Sequence, residues 1–167
     1  MKPLSLKQRI ALTLNHRIVS DLRRKHPLRQ LFWECTWRCN LQCLHCGSDC
    51  NSASAVPDMP AEDFIKVVDS ILPHVDPHQL NIVITGGEPL VRNDLEKVGR
   101  MLYDRELPWG IVTNGLLLTP ERFRSLRAAG IHNLTISLDG LRDTHNWMRH
   151  HPLSFDKALA AIQIAAK

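Results

Sequence analysis

Short apolar segments alternate with helix-forming segments from residue 31 to the end of this 167-residue chain. The predicted strands span residues 31–34, 80–85, 110–112 and 134–138, and a helical segment follows each of them. This alternation predicts an α/β fold with a parallel sheet and right-handed crossovers. Functional residues of such a fold lie at the carboxyl ends of its strands.

Helix signals accompany the predicted helices. The first spans about residues 60–72, and Asn93 with Glu96 predicts a capping box for a helix that extends to residue 105. Thr119 and Pro120 predict the start of the next helix, which Gly130 ends. Ser154 is predicted to cap a final helix rich in alanine and isoleucine.

Residues 1–30 form a separate basic segment. Apolar residues recur in it every four positions, which predicts one amphipathic helix ending before Pro27 and packing beside the main domain: Leu6, Ile10, Leu14, Ile18 and Leu22. The segment holds eight Lys or Arg against one acid, whereas the remaining residues hold thirteen against sixteen. An anionic partner or a solvated helix face explains this charge, and we expect the solvated face and no nucleic-acid partner.

All five cysteines lie between Cys35 and Cys50, which argues against a disulfide framework and for a metal site in a reducing compartment. Cys39, Cys43 and Cys46 are separated by three and then two residues. Three thiolates suit a four-iron cluster with one open iron, and a zinc site that adds Cys35, Cys50 or His45 is the alternative. Cys35 is expected to be buried at the end of a strand, and Cys50 is expected to lie at the exit of the loop.

No segment approaches the roughly 20 apolar residues of a membrane span, and the first residues lack a secretory signal pattern. We therefore expect a cytoplasmic protein.

The cysteine spacing, followed by Thr85-Gly86-Gly87-Glu88-Pro89-Leu90, resembles the radical S-adenosylmethionine (radical SAM) superfamily. The resemblance continues through Thr113-Asn114-Gly115, Ser137-Leu138-Asp139-Gly140 and His145-Asn146-Trp147-Met148-Arg149, in the family's order. It implies a partial parallel (β/α) barrel, of which about four of six strand–helix units are present. Residues 31–167 would be the N-terminal portion of this core domain, with an exposed sheet edge.

The resemblance also implies a chemistry. A 4Fe-4S cluster would reductively cleave S-adenosylmethionine to a 5′-deoxyadenosyl radical that abstracts hydrogen from a substrate. An electron donor such as a ferredoxin or flavodoxin would be a partner. No acid–base pair or nucleophile is required, so no residue is assigned a catalytic role.

The resemblance also implies which residues form the site, because the family's functional residues match positions in these motifs. Cys39, Cys43 and Cys46 would bind the cluster, and the other residues would contact the S-adenosylmethionine. The backbone at Gly86 and Gly87 with the Glu88 carboxylate would accept hydrogen bonds from the methionine ammonium, and Arg149 would pair with the methionine carboxylate. The remaining assignments are His45 and Leu41 in the cysteine loop, with His45 near the adenine, Ser137 and Asp139 near the ribose, and Asn114 as an orienting residue.

The motif sequences are similar to those of the peptide-modifying and sulfatase-maturase-like branch, called the SPASM type, and to those of a lipoprotein-associated bacterial subgroup. A peptide or protein substrate is therefore expected. Two alternatives stay open at this point. One is a cofactor-biosynthesis enzyme of the haem or molybdenum-cofactor type, and the other is a non-catalytic zinc-stabilised or metal-free binding module.

Overall fold

A computed structural model describes residues 4–167. Its centre is a parallel sheet whose four strands lie in chain order. The strands are β1 (Gln30–Glu34), β2 (Asn81–Thr85), β3 (Trp109–Thr113) and β4 (Asn133–Ile136). The predicted α/β fold with a parallel sheet is confirmed, and the strand ends lie within two residues of the predicted ones.

The strand register brings the carboxyl ends of the strands to one edge of the sheet. Glu34 at the end of β1 lies beside Thr85 at the end of β2. Thr113 at the end of β3 lies beside Ile136 at the end of β4. All four loops that follow the strands therefore begin at this edge, where the sequence places its motifs.

Six α-helices accompany the sheet within the described residues. They are α1 (Leu6–Lys25), α2 (Ala61–Ile71), α3 (Leu95–Tyr103), α4 (Pro120–Ala128), α5 (Arg142–Arg149) and α6 (Ser154–Ala165). Apolar residues three or four positions apart give α2 and α3 one buried face each. On α2 this face includes Phe64, whose ring stacks on Trp33 of β1 with centroids 4.1 Å apart.

The start of α3 differs from the prediction. Its N-cap is Asp94, and no side chain caps the helix. The Asp94 carboxylate accepts hydrogen bonds from Arg92, and Glu96 accepts one from the Ser125 hydroxyl. The predicted capping box of Asn93 and Glu96 is therefore wrong: Asp94 takes the N-cap position, and Glu96 bonds to Ser125 instead of the helix start.

The limits of α4 follow the prediction. Thr119 Oγ1 accepts a hydrogen bond from the Arg122 N–H at 3.1 Å, and Pro120 is the first helical residue. Gly130 follows the helix with a φ of +87°, in the left-handed region that glycine tolerates best.

The helix α5 was not predicted, and it changes how α6 begins. Leu153 is the N-cap of α6, and the Ser154 side chain does not cap the helix. Instead Asn146 Oδ1 on α5 accepts hydrogen bonds from the Phe155 N–H at 2.9 Å and the Ser154 hydroxyl at 3.0 Å. The predicted Ser154 cap is therefore wrong, because the neighbouring helix supplies the acceptor.

The basic N-terminal segment forms the predicted helix, and α1 ends before Pro27. Ser5 and Gln8 form a capping box at its start. Its five periodic apolar residues are 38–73% exposed, and α1 buries no residue. The prediction that this helix packs beside the main domain is therefore wrong for the residues that the structure describes.

At the edge of the sheet, β4 has no further strand beside it within residues 4–167, as the predicted open edge requires. None of the helices in this range has both the length and the apolar character of a transmembrane span.

Candidate metal and cofactor site

A cavity of about 190 Å³ opens at the carboxyl edge of the sheet, and residues from the loops after all four strands line it. Ten of the twelve predicted site residues lie on its wall: Cys39, Leu41, Cys43, His45, Cys46, Gly86, Gly87, Asn114, Ser137 and Arg149. Glu88 and Asp139 are the two that do not. The structure thus brings together motifs that are up to 110 residues apart in the chain.

The loop that carries the three cysteines is held at two points by backbone hydrogen bonds. The Cys39 N–H donates to the Asn51 carbonyl at 3.1 Å, where the loop closes on itself. The Leu44 N–H donates to the Met148 carbonyl of α5 at 2.9 Å. The loop is therefore fixed both to its own exit and to the last turn of α5.

The three thiols differ in exposure. Cys39 is buried, Cys43 is half-buried and Cys46 is exposed. Burial raises the pKa of Cys39 and of Cys43, although Arg149 opposes the rise at Cys43. Metal ligation requires thiolates, so metal binding at this loop would displace protons from Cys39 and Cys43.

The position of the three thiols suits ligands of a cluster. Within residues 4–167, no three side chains of His, Cys, Asp or Glu converge closely enough to hold one metal ion. A zinc ion needs about four ligands around one point, whereas each cysteine of a four-iron cluster binds a different iron. The three thiols line one cavity, which suits separate ligands of a cluster.

The turn after β2 packs directly on the backbone of the cysteine loop. A Cβ atom added to Gly87 would lie 2.3 Å from the Arg38 carbonyl oxygen. Gly86 has a φ of +124°, and a Cβ atom there would lie 2.4 Å from the Thr36 carbonyl oxygen. Only glycine, which has no Cβ atom, fits at either position. The backbone of the turn and the backbone of the cysteine loop are therefore in direct contact.

Glu88 completes this turn and is buried. Its side chain is 1% exposed, and its carboxylate accepts hydrogen bonds from the Thr113 hydroxyl at 2.7 Å, the Asn114 N–H at 2.8 Å and the Leu90 N–H at 3.0 Å. Burial raises the pKa of Glu88 in spite of these three donors. Glu88 ties the turn after β2 to the end of β3, and the expected contact between its carboxylate and a ligand ammonium stays a prediction.

Asn114 lies between the cavity and the cysteine loop. Its side-chain amide donates to Asn40 Oδ1 at 2.8 Å and lies 4.0 Å from Cys39 Sγ. Its Oδ1 accepts a hydrogen bond from the Leu116 N–H at 3.0 Å. These contacts are consistent with the orienting role that the sequence predicts for Asn114.

Asp139 and Arg149 form an ion pair beside the cavity. Arg149 Nε and Nη2 donate to the two carboxylate oxygens of Asp139 at 2.6 and 3.1 Å. Burial opposes the charge of Asp139, but the Arg149 guanidinium lowers its pKa below the ordinary value. Asp139 therefore holds Arg149, and the expected contact of Asp139 with a ribose stays a prediction.

Arg149 also contacts the cysteine loop. The buried side chain of His145 supports Asp139, which in turn holds Arg149. Its Nη1 lies 3.8 Å from Cys43 Sγ. The Asp139 N–H donates to Nδ1 of His145, which is 1% exposed. Burial lowers the pKa of His145, so this imidazole accepts the hydrogen bond in its neutral form.

The remaining predicted residues have different environments. Leu41 is buried against Cys39 and Cys50, whereas His45 is exposed on the cavity wall. Ser137 is half-buried, and its N–H donates to the Thr113 carbonyl at 3.0 Å.

Sequence reasoning missed Arg92. Its side chain is 4% exposed, and Nη1 donates to the Cys35 carbonyl at 2.6 Å while the guanidinium lies 5.0 Å over the Trp33 ring. No spacing or motif in the sequence marks this contact. Arg92 anchors the start of the cysteine loop on the core.

The two cysteines outside the motif are buried. Cys35 is fully buried, as predicted for a residue at the end of β1. Cys50, which was expected at the exit of the loop or as an extra ligand, lines the cavity. Burial raises its pKa to about 11.

Comparisons with known proteins agree with this geometry. The model of the Radical SAM superfamily matches residues 33–167. An AdoMet-dependent heme synthase of Methanosarcina barkeri is 35% identical over 140 residues, which cover 83% of this chain and 39% of the synthase. A PqqA peptide cyclase of Granulibacter bethesdensis is 30% identical over 111 residues, covering 66% of this chain and 29% of the cyclase.

A similar solved structure is that of Streptococcus suis SuiB bound to its precursor peptide SuiA. The TM-score is 0.61 at 16% identity, over 98% of this chain and 37% of SuiB. This likeness bears on the fold alone. The chain spans less than two fifths of the length of these curated relatives.

Proposed function

Because the chain belongs to the radical SAM superfamily, we propose that Cys39, Cys43 and Cys46 bind the 4Fe-4S cluster and that the adjoining cavity binds S-adenosylmethionine. One observation carries the proposal. The three thiols and the Gly86-Gly87 turn line the same cavity at the carboxyl edge of the sheet. Three cluster ligands leave one iron free for the amine and carboxylate of the methionine.

When bound, the cluster and S-adenosylmethionine supply a one-electron reduction that breaks a carbon–sulfur bond of the sulfonium and starts hydrogen abstraction. The chain supplies binding, orientation and exclusion of water. Buried Leu41 and the glycine turn line one side of the cavity.

Individual residues have separate tasks in this proposal. The backbone carbonyls of Gly86 and Gly87 accept hydrogen bonds from the methionine ammonium. Arg149 has five N–H donors, and three of them have partners within residues 4–167, so the others are available to the methionine carboxylate. Ser137 serves a ribose hydroxyl, and His45 lies by the adenine.

We propose that the full-length enzyme acts on a peptide or protein. The sequences of the motifs support this substrate class, as does similarity to the PqqA peptide cyclase. A precursor of a cofactor of the haem type is the second candidate, which the 35% identity to an AdoMet-dependent heme synthase favours. An electron donor such as a ferredoxin or flavodoxin completes either reaction. The five free thiols suit a reducing cytoplasm.

Anaerobic reconstitution of the chain tests the cofactor assignment. We expect about four irons per chain, and an electron paramagnetic resonance spectrum that shifts when S-adenosylmethionine is added. Cys43→Ala should fail to assemble the cluster, whereas Cys50→Ala, a control cysteine from the same loop, should retain it. Full iron content in Cys43→Ala would refute the ligand assignment.

Isotope transfer in the full-length protein distinguishes the two substrate classes. Deuterium from a labelled peptide substrate should appear in 5′-deoxyadenosine by mass spectrometry. Transfer from a labelled iron porphyrin precursor, with none from peptides, would decide for the cofactor-biosynthesis candidate.

A further inference from the structure

We propose that Arg149 raises the reduction potential of the cluster by placing its guanidinium against the Cys43 sulfur, and that Asp139 and His145 hold it in this position. The inference rests on the proposed role of Cys43 as a cluster ligand. It gives Arg149 a task that is independent of any contact with S-adenosylmethionine.

The contact with sulfur is direct. Arg149 Nη1 lies 3.8 Å from Cys43 Sγ, within reach of an N–H···S hydrogen bond. Hydrogen bonds to the sulfurs of an iron–sulfur cluster are among the factors that set its reduction potential. A positive charge at this distance also favours the reduced form, because reduction adds one negative charge to the cluster.

Cys43 and Cys39 differ in the donors that face them. The sulfur of Cys39 lies 3.4 Å from the Leu41 N–H and 4.0 Å from the Asn114 amide, which are both neutral groups. The charged donor faces Cys43 instead. Removing Arg149 therefore changes the electrostatics at one corner of the cluster and leaves the neutral donors at Cys39 in place.

The guanidinium is held from the side opposite to the sulfur. Asp139 takes Nε and Nη2 at 2.6 and 3.1 Å, while Cys43 faces Nη1. The side chains of Arg149, Asp139 and His145 are 13%, 21% and 1% exposed, so water screens these contacts weakly. The Asp139 N–H is in turn fixed on His145 Nδ1 at 3.1 Å.

One backbone hydrogen bond joins α5 to the cysteine loop next to Arg149 and Cys43. Met148, the neighbour of Arg149 on α5, accepts the Leu44 N–H at 2.9 Å, and Leu44 is the neighbour of Cys43. Arg149 and Cys43 are thus each one residue away from the hydrogen bond that joins α5 to the cysteine loop.

The test is an anaerobic redox titration of the reconstituted protein, followed by electron paramagnetic resonance and performed without S-adenosylmethionine. We expect Arg149→Gln to have a more negative midpoint potential than wild type. Arg149→Lys keeps the charge but loses the planar fork, so its shift should be smaller. The matched control is Arg142→Gln, which removes an exposed arginine of the same helix that pairs with Asp156 and should leave the potential unchanged.

Iron content separates the failure of this inference from that of the proposed function. If wild type does not bind about four irons, the proposed function fails and the inference fails with it. If Arg149→Gln binds the cluster at the wild-type potential, only the inference is overturned. If Arg149→Gln does not assemble a cluster, Asp139→Asn and Arg149→Lys decide, and an unchanged potential in both overturns the inference.

Discussion

The turn after β2 and the segment after β4 approach the same cavity, but different forces hold them. Backbone contacts fix the turn, since a Cβ atom at Gly87 would lie 2.3 Å from a carbonyl oxygen of the cysteine loop. The segment after β4 depends on the ion pair between Asp139 and Arg149. The first region therefore tolerates almost no change in shape, whereas the second can adjust as side chains move.

Each region contains one carboxylate, and their pKa values shift in opposite directions. Three uncharged donors do not overcome burial at Glu88, and its pKa is raised. One cation overcomes burial at Asp139, and its pKa is lowered. The contribution of Glu88 to stability is consequently complete below its ordinary pKa of 4.5 and declines as the pH rises through its higher folded value.

The largest effect is expected for Glu88→Ala. The substitution leaves the Thr113 hydroxyl and the backbone N–H groups of Leu90 and Asn114 without their acceptor in a buried place. We expect a loss of about 3 kcal/mol in the free energy of unfolding, measured by urea denaturation. The control Glu121→Ala removes an exposed carboxylate and should change nothing measurable. If the loss of unfolding free energy in Glu88→Ala does not exceed the experimental error of the control, the turn does not depend on Glu88.

Gly87→Ala should have the next largest effect. The new Cβ atom would clash with the Arg38 carbonyl, so the cysteine loop must move or the turn must distort. We expect a loss of about 2 kcal/mol and reduced iron uptake on reconstitution. Gly47→Ala is the matched control, because no atom lies within 4 Å of its added Cβ. Equal behaviour of the two variants would contradict the tight contact between the turn and the loop.

Asp139→Asn should have a smaller effect that depends on pH. The folded pKa of Asp139 lies below its ordinary 3.8, so its stabilisation is present above pH 3.8 and is lost as the pH falls through the folded value. We expect wild type to exceed the variant by about 1–2 kcal/mol at neutral pH, with the difference shrinking in acid. Urea denaturation at several pH values measures it. A difference that is constant with pH would exclude the ion pair as its cause.

The smallest effect is expected for Arg142→Gln, on the same helix as Arg149. Arg142 pairs with Asp156 at the surface, where solvent screens the charges. The unfolding free energy should stay within experimental error of wild type. A clear loss would mean that exposed pairs stabilise α5 as much as the buried one does.

The sequence predicts the sheet well because the strand signal is local. Ile82 and Ile84 of β2 and Ile111 of β3 are fully buried, and continuous apolar runs of this kind identify central strands without any knowledge of their neighbours. Thr119 at the start of α4 is local in the same sense, because it caps the helix that follows it directly.

Features that depend on distant contacts could not be predicted. The helix α5 is mostly polar and buries only His145, and its two apolar residues, Trp147 and Met148, are too few to mark a helix in the sequence. Ser154 looks like a cap in sequence, but Asn146 takes that role across a helix–helix contact. The N-terminal helix has the expected periodicity, yet periodicity does not reveal which surface, if any, covers its apolar face.

The site shows the same division. Motif spacing identified which residues gather at the cavity, but not which way the two carboxylates point. Glu88 turns toward the end of β3, and Asp139 turns toward Arg149. These directions follow from partners 25 and 10 residues away, which a motif of four or five residues does not contain.

The hydrogen bond from Leu44 to Met148 has a consequence for the order of assembly. It closes a span of about 100 residues, and closure of long spans is slow in folding. The segment with the three sulfurs cannot take its final shape until synthesis has passed α5 and that helix has docked. Iron insertion is therefore expected only after α5 has been synthesised and has docked, and a nascent chain stopped before α5 would offer the metal only a flexible peptide.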